Sequence, residues 1–139
     1  MEKKCCTSCW ISLILRVAVA SLFAVAAFDK FRSGLDNTTM FIQGMFKDTW
    51  LPLSLVGLYA RILPFAEAII AIWLIVGYKL KTAWILTAFV LITLAFGMAV
   101  AKQFAVVANN YFYVFLACAG LYFSCEDCCS IDGILKKSN

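Results

Sequence analysis

Four stretches of nearly unbroken apolar sequence constrain this chain more than anything else in it. They run over residues 10–28, 58–78, 82–101 and 105–123, and a hydrocarbon core asks for roughly 20 residues of helix to cross it. Together they hold 79 of the 139 residues. Hydrophobic residues make up 64% and charged residues 14%, against roughly 45–50% and about 25% in ordinary soluble domains. A soluble domain this small has too little interior to hide that apolar surface. Lipid is therefore expected to cover it. Helices are the default in lipid, because every backbone amide needs a partner within the chain, and the runs lack the alternation of barrel strands. The expected fold is all-α: an integral membrane four-helix bundle in one domain, with cysteine-rich tails at 1–9 and 124–139.

Composition removes whole classes of function. The chain has no histidine, so histidine-ligated haem, imidazole acid–base chemistry and the Ser-His-Asp triad are excluded. A net charge of +4 from scattered basic residues gives no footprint for nucleic acid.

Spans two, three and four are joined by short turns, but the first connection is long. Within it Met40, Phe41, Ile42, Met45, Phe46 and Trp50 alternate with Gln43, Lys47 and Asp48. This segment reads as a short interfacial helix or lid, capped by Thr38, or as an irregular loop folded over the bundle. Leu51-Pro52 marks the break before span two. Lys3-Lys4, an apolar run and Ala24-Val25-Ala26 have the outline of a cleaved signal, but the apolar residues 10–15 before Arg16 are foreign to a basic leader. The segment is expected to stay as span one. Lys3, Lys4, Lys79, Lys81, Lys136 and Lys137 fall on the side of both termini, and Lys30, Arg32, Lys47 and Lys102 on the other. The excess of basic residues puts both termini in the cytoplasm.

Ionisable groups inside spans usually face the bundle interior with a partner. Arg16 in span one and Glu67 in span two lie within about a turn in depth, which suggests a buried pair; alternatively Arg16 snorkels to the headgroups and Glu67 is protonated. The opposite half is more polar: Asp29 and Lys30 end span one, Arg61 begins span two, Gln103, Asn109, Asn110 and Tyr113 enter span four, and Pro64 frees a backbone carbonyl. Together these could line a cavity for a quinone or small anionic ligand, with Arg16, Arg61, Glu67, Asn109, Asn110 and Tyr113 as the candidate binding residues. The asparagines could equally serve as interhelical hydrogen bonders.

The cysteines form two mirrored clusters. Cys5-Cys6-Thr7-Ser8-Cys9 precedes span one, and Cys125-Glu126-Asp127-Cys128-Cys129 follows span four. Four spans bring both clusters to one membrane face. Each holds a Cys-x-x-Cys, the spacing of thiolate metal sites and of dithiol redox centres. Cys5, Cys9, Cys125 and Cys128 could bind zinc or copper, or an iron–sulfur cluster by ligand count. Cys6 and Cys129 complete the set of candidate redox thiols. Surface thiols, some lipidated, are the plainer alternative. Cys118, inside span four, is expected to be a small buried apolar residue.

The layout resembles the DoxX-like family of small four-helix membrane proteins, with its DoxD and MauE relatives. The likeness rests on Arg16, Phe23 and Asp29-Lys30 in the first span, and on Pro64-x-x-Glu67 followed by Leu74-Ile75-Val76-Gly77 in the second. It covers most of residues 13–123. The family's usual glycine just before the first-helix lysine is replaced by Phe28-Asp29. The resemblance implies a membrane-embedded redox or sulfur-related role, since members are associated with thiosulfate:quinone oxidoreduction, disulfide formation in partner proteins and oxidative-stress complexes. Three functions stay open on this footing. They are a thiol redox protein working with a quinone or a redox partner protein, a metal- or thiol-compound transporter, and a non-catalytic subunit. Gly97 and Ala101, four apart in span three, allow the close helix contact of a homodimer.

Overall fold

Lipid leaves backbone amides dependent on the chain itself. Helices alone answer that demand among the residues that a computed structural model describes, namely 2–124 and 131, with side chains from residue 7 onward. They are α1 (Glu2–Ser33), α2 (Leu35–Met45), α3 (Leu53–Val76), α4 (Leu80–Val100) and α5 (Phe104–Phe123). Four of them, α1, α3, α4 and α5, are long and apolar enough to cross a membrane. The all-helical membrane bundle expected from the sequence is the architecture found.

Each helix end has a local cause. α1 stops where Gly34 takes φ 87°, a left-handed conformation that glycine adopts without strain. Thr38 does not cap α2, whose N-cap is Gly34 with no side-chain bond. Instead the Thr38 hydroxyl lies 3.4 Å from the Lys30 carbonyl, and the Asn37 amide donates to Ser33 at 3.0 Å. The polar side of α2 thus serves the unpaired carbonyls that end α1. Pro52, at φ −62°, opens α3 five residues earlier than the apolar run suggested, and Gly77 in the left-handed region closes it. Two short turns then join α3 to α4 and α4 to α5.

The spans form a closed ring in which α1 packs on α3, α3 on α4, α4 on α5 and α5 on α1. α2 lies across the end of the ring remote from the termini, against α3 and α1. We call this the α2 end and its opposite the terminal end. The core is concentrated toward the terminal end, around Val19, Phe23, Ile70, Leu74, Trp84 and Leu91. Bulky residues such as Ile14, Phe28, Ile69, Phe89 and Phe115 point outward and stay more than half exposed. Only a lipid surround makes that arrangement favourable. Cys118 is exposed, which corrects the expectation that it is buried: it lies on the outward side of α5, the least buried of the four spans.

Close helix approach replaces the hydrophobic drive that lipid removes. Trp84 is fully buried against Gly120 of α5, where a Cβ would overlap the indole ring. Gly57 of α3 likewise makes room for the Gln43 side chain of α2, which donates to the Leu53 carbonyl at 3.0 Å. Gly120→Val should therefore lower the thermal midpoint in detergent, at a cost of about 1–3 kcal/mol from overpacking. Gly44→Ala, where an added Cβ meets nothing within 4 Å, should leave the midpoint unchanged or raise it. Equal losses from both would refute the close-packing account of Gly120.

Candidate functional site

One face of α1 carries the residues that matter inside the bundle. Cys9, Ser12, Arg16, Val19, Phe23 and Ala27 recur at three- and four-residue steps and are all buried, and Lys30 continues the row. Such a row turns a single side of a helix toward its neighbours. Here that side meets α3.

Arg16 is 3% exposed and donates from Nε to the Leu74 carbonyl at 2.8 Å, and from Nη2 to the Ile75 carbonyl at 2.7 Å. Both carbonyls belong to the last turn of α3, where no further helical amide is available to them. A guanidinium there also meets the negative end of the helix dipole. Arg16 is thus a cap for α3 supplied by another helix.

Glu67 pairs with Lys30. The Lys30 ammonium lies 2.5 and 2.6 Å from the two carboxylate oxygens, with side-chain exposures of 23% and 3%. This corrects the expected Arg16–Glu67 pair, and the reason is register. Arg16 is level with residues 74–75, seven or eight places beyond Glu67, which is roughly 10–12 Å along the helix. Lys30, three residues from the end of α1, reaches down the bundle and Glu67 reaches up to meet it. The sequence reading placed Lys30 among the polar residues at the end of span one but did not pair it with Glu67, because the relative level of α1 and α3 is not written in either helix alone.

The remaining candidates do not join this pair in one site. Arg61 donates to Asp36 of α2 at 2.7 Å, but both side chains are exposed, at 62% and 82%. The contact therefore tethers α2 more by position than by energy. It stands at the rim of a 510 Å³ cleft between α2 and α3. Asn109 is exposed and Asn110 and Tyr113 half-buried. The two asparagines make no side-chain hydrogen bond among the described residues, and Tyr113 packs at the edge of the core. A pair that sequence reasoning missed is Tyr59 on α3 and Thr93 on α4, whose hydroxyls lie 2.9 Å apart. The apolar context of both residues hid them.

Cys5, Cys6, Cys125, Cys128 and Cys129, and with them the four-thiolate metal site, lie outside the residues whose side chains are described. Cys9 is buried. Among the described residues no cluster of three or more cysteines and carboxylates could hold a metal ion. Gly97, expected to allow contact between copies, instead faces Phe46 of α2, whose ring would lie 3.7 Å from an added Cβ.

A family model described as methylamine utilisation protein MauE matches residues 8–110. No curated protein and no solved structure matches the chain. The matched segment contains Arg16, Lys30 and Glu67, and ends before the second cysteine cluster.

Breaking the buried pair from one side strands a charge, at a cost of about 3–5 kcal/mol. Glu67→Leu and Lys30→Met should each lower detergent stability strongly, while the double variant should recover much of the loss. A double-mutant cycle with additive losses would show that the two side chains do not interact.

Proposed function

The chain belongs to the MauE family of membrane proteins, and from that premise we propose that it is a membrane-embedded thiol redox protein acting on a partner protein. One observation carries the proposal: α1 and α5 are neighbours in the ring. The start of α1 and the end of α5, next to which the two clusters stand in the sequence, are thus at the same end of the ring. A disulfide drawn from Cys5, Cys6, Cys9, Cys125, Cys128 and Cys129 is attacked by a partner thiolate. A second thiolate of the partner then attacks the mixed disulfide, forming the partner's own disulfide and releasing the second thiol of this chain. A membrane quinone takes the two electrons and two protons that restore the disulfide, and leaves as quinol. The groove between α1 and α5, about 510 Å³ and lined by Val19, Leu22, Val25 and Tyr113, suits such an apolar oxidant.

A second function, transport of a small thiol or metal compound, is favoured by the Lys30–Glu67 pair. An ionised pair inside a span is costly and often marks a pathway. It lies toward the α2 end, away from the thiols, so the two functions call for different experiments.

Reduced protein in nanodiscs, mixed anaerobically with a short-chain benzoquinone, should lose two free thiols for each quinol formed. Cys9→Ser and Cys128→Ser should abolish that loss. An unchanged thiol count, or a stoichiometric thiolate-bound metal after gentle purification, would overturn the redox proposal. We further propose that both termini face the cytoplasm, following the basic-residue bias. An impermeant maleimide on intact cells should then label Asp48→Cys at the α2 end and miss the native cysteines; labelling at the terminal end reverses the topology.

A further inference from the structure

α3 and α4 pack least closely of the ring neighbours, and toward the α2 end a crevice of about 260 Å³ opens between them. Leu55, Val56 and Leu63 of α3 line one wall, Leu94, Phe96 and Gly97 of α4 the other, with Ile42 and Phe46 of α2 across the end. Leu55 and Phe96 are 58% and 56% exposed, so the crevice opens sideways into the hydrocarbon region. An apolar cavity of even 150 Å³ stays dry and takes an apolar guest. Its only polar groups are the hydroxyls of Tyr59 and Thr93, and these are spent on each other. Thr93 donates to the Val90 carbonyl at 2.8 Å, so Tyr59 is the donor in the 2.9 Å bond to Thr93. The wall offers a guest no free proton. A plain hydrocarbon chain suits it.

Two lysines follow the lining residues in sequence at this end. Lys47 follows Phe46 directly, and Lys102 lies one turn beyond Met98, another lining residue. Both side chains are exposed, and neither is in an ion pair among the described residues. Asp48, also exposed, sits beside Lys47 and lowers the net charge there to +1. Trp50, 76% exposed in the same turn, is a residue that favours the membrane–water interface. That preference puts Lys47, three residues before it, close to the interface. Tyr59 and Thr93 lie six and seven residues inside their helix ends, roughly 9–10 Å deeper. A carbonyl at the glycerol level does not reach them, whereas an acyl chain descending from that level runs past them.

We propose that this crevice holds one acyl chain of a phospholipid whose phosphate rests between Lys47 and Lys102. The lipid would brace α2 against α3 and α4 where protein packing is thinnest. This goes beyond the thiol function and does not depend on it.

Native mass spectrometry of the whole chain, titrated with phosphatidylglycerol, tests the proposal. One lipid per chain is expected. Gly44→Ala, on α2 outside the crevice lining and with nothing within 4 Å of the added Cβ, should bind as the parent does. Gly97→Leu, which fills the crevice, and the Lys47→Ala/Lys102→Ala double variant should each weaken binding roughly tenfold or more, about 1.4 kcal/mol. Circular dichroism and the thermal midpoint confirm that each variant is folded. Undiminished binding to Gly97→Leu would show headgroup attachment without a chain in the crevice, and overturns the proposal. So would equal binding of diacylglycerol or an isoprenoid quinone with no loss in the lysine variant, since the phosphate would then play no part.

Discussion

Two basic side chains fourteen residues apart on α1, roughly 21 Å of helix, fasten that helix to α3 at two depths. Arg16 takes the C-terminal carbonyls of α3, and Lys30 takes Glu67. In water such contacts would be minor beside apolar burial. Between transmembrane helices lipid competes equally for apolar surface, so polar contacts and close packing set the register. A slip of α1 by one turn would separate both basic groups from their acceptors inside the membrane. The rest of the ring follows from that register, including the level at which Phe23 and Val19 meet Ile70 and Leu74.

α2 depends on the same end of α1. Thr38 and Asn37 serve carbonyls of its last turns, and Gln43 fixes the far side of α2 to the start of α3 over Gly57. The eleven-residue helix is short for an isolated helix in water, and owes its order to these contacts and to the burial of Thr39 and Phe46. Its position above Lys30–Glu67 narrows water's access to the pair. Lys30 keeps 23% of its side chain exposed while Glu67 keeps 3%, so the carboxylate is the more enclosed member of the pair.

How much of this was written in the sequence varies with the kind of force. The spans were legible because membrane thickness sets a length that apolar runs must meet. Pro52 marked the break before α3 because its backbone restriction acts locally, although the apolar run itself suggested a start only at residue 58. Glu67 was legible as an interior residue because carboxylates are rare in spans. Its partner was not, because pairing depends on the relative level of two helices. Thr38 misled for a related reason: it does bond a helix end, but the end of α1. Cys118 misled because apolar residues lie on every side of α5, so hydrophobicity alone does not say which face is inward. Gly120 and Gly57 were silent until Trp84 and Gln43 were seen against them.

The interior row on α1 links the two ends of the molecule. Cys9, near the terminal end, and Lys30, near the α2 end, lie on the same face of one continuous helix. They are twenty-one residues apart, about 32 Å, so no electron or proton passes directly from one to the other. Mechanical coupling is a different matter. A helix held at two depths moves as a body, and a shift large enough to part Lys30 from Glu67 would also draw Arg16 across the end of α3 and carry Cys9 with it. The contacts at Leu74, Ile75 and Glu67 therefore fix the level of Cys9 as well as that of Lys30.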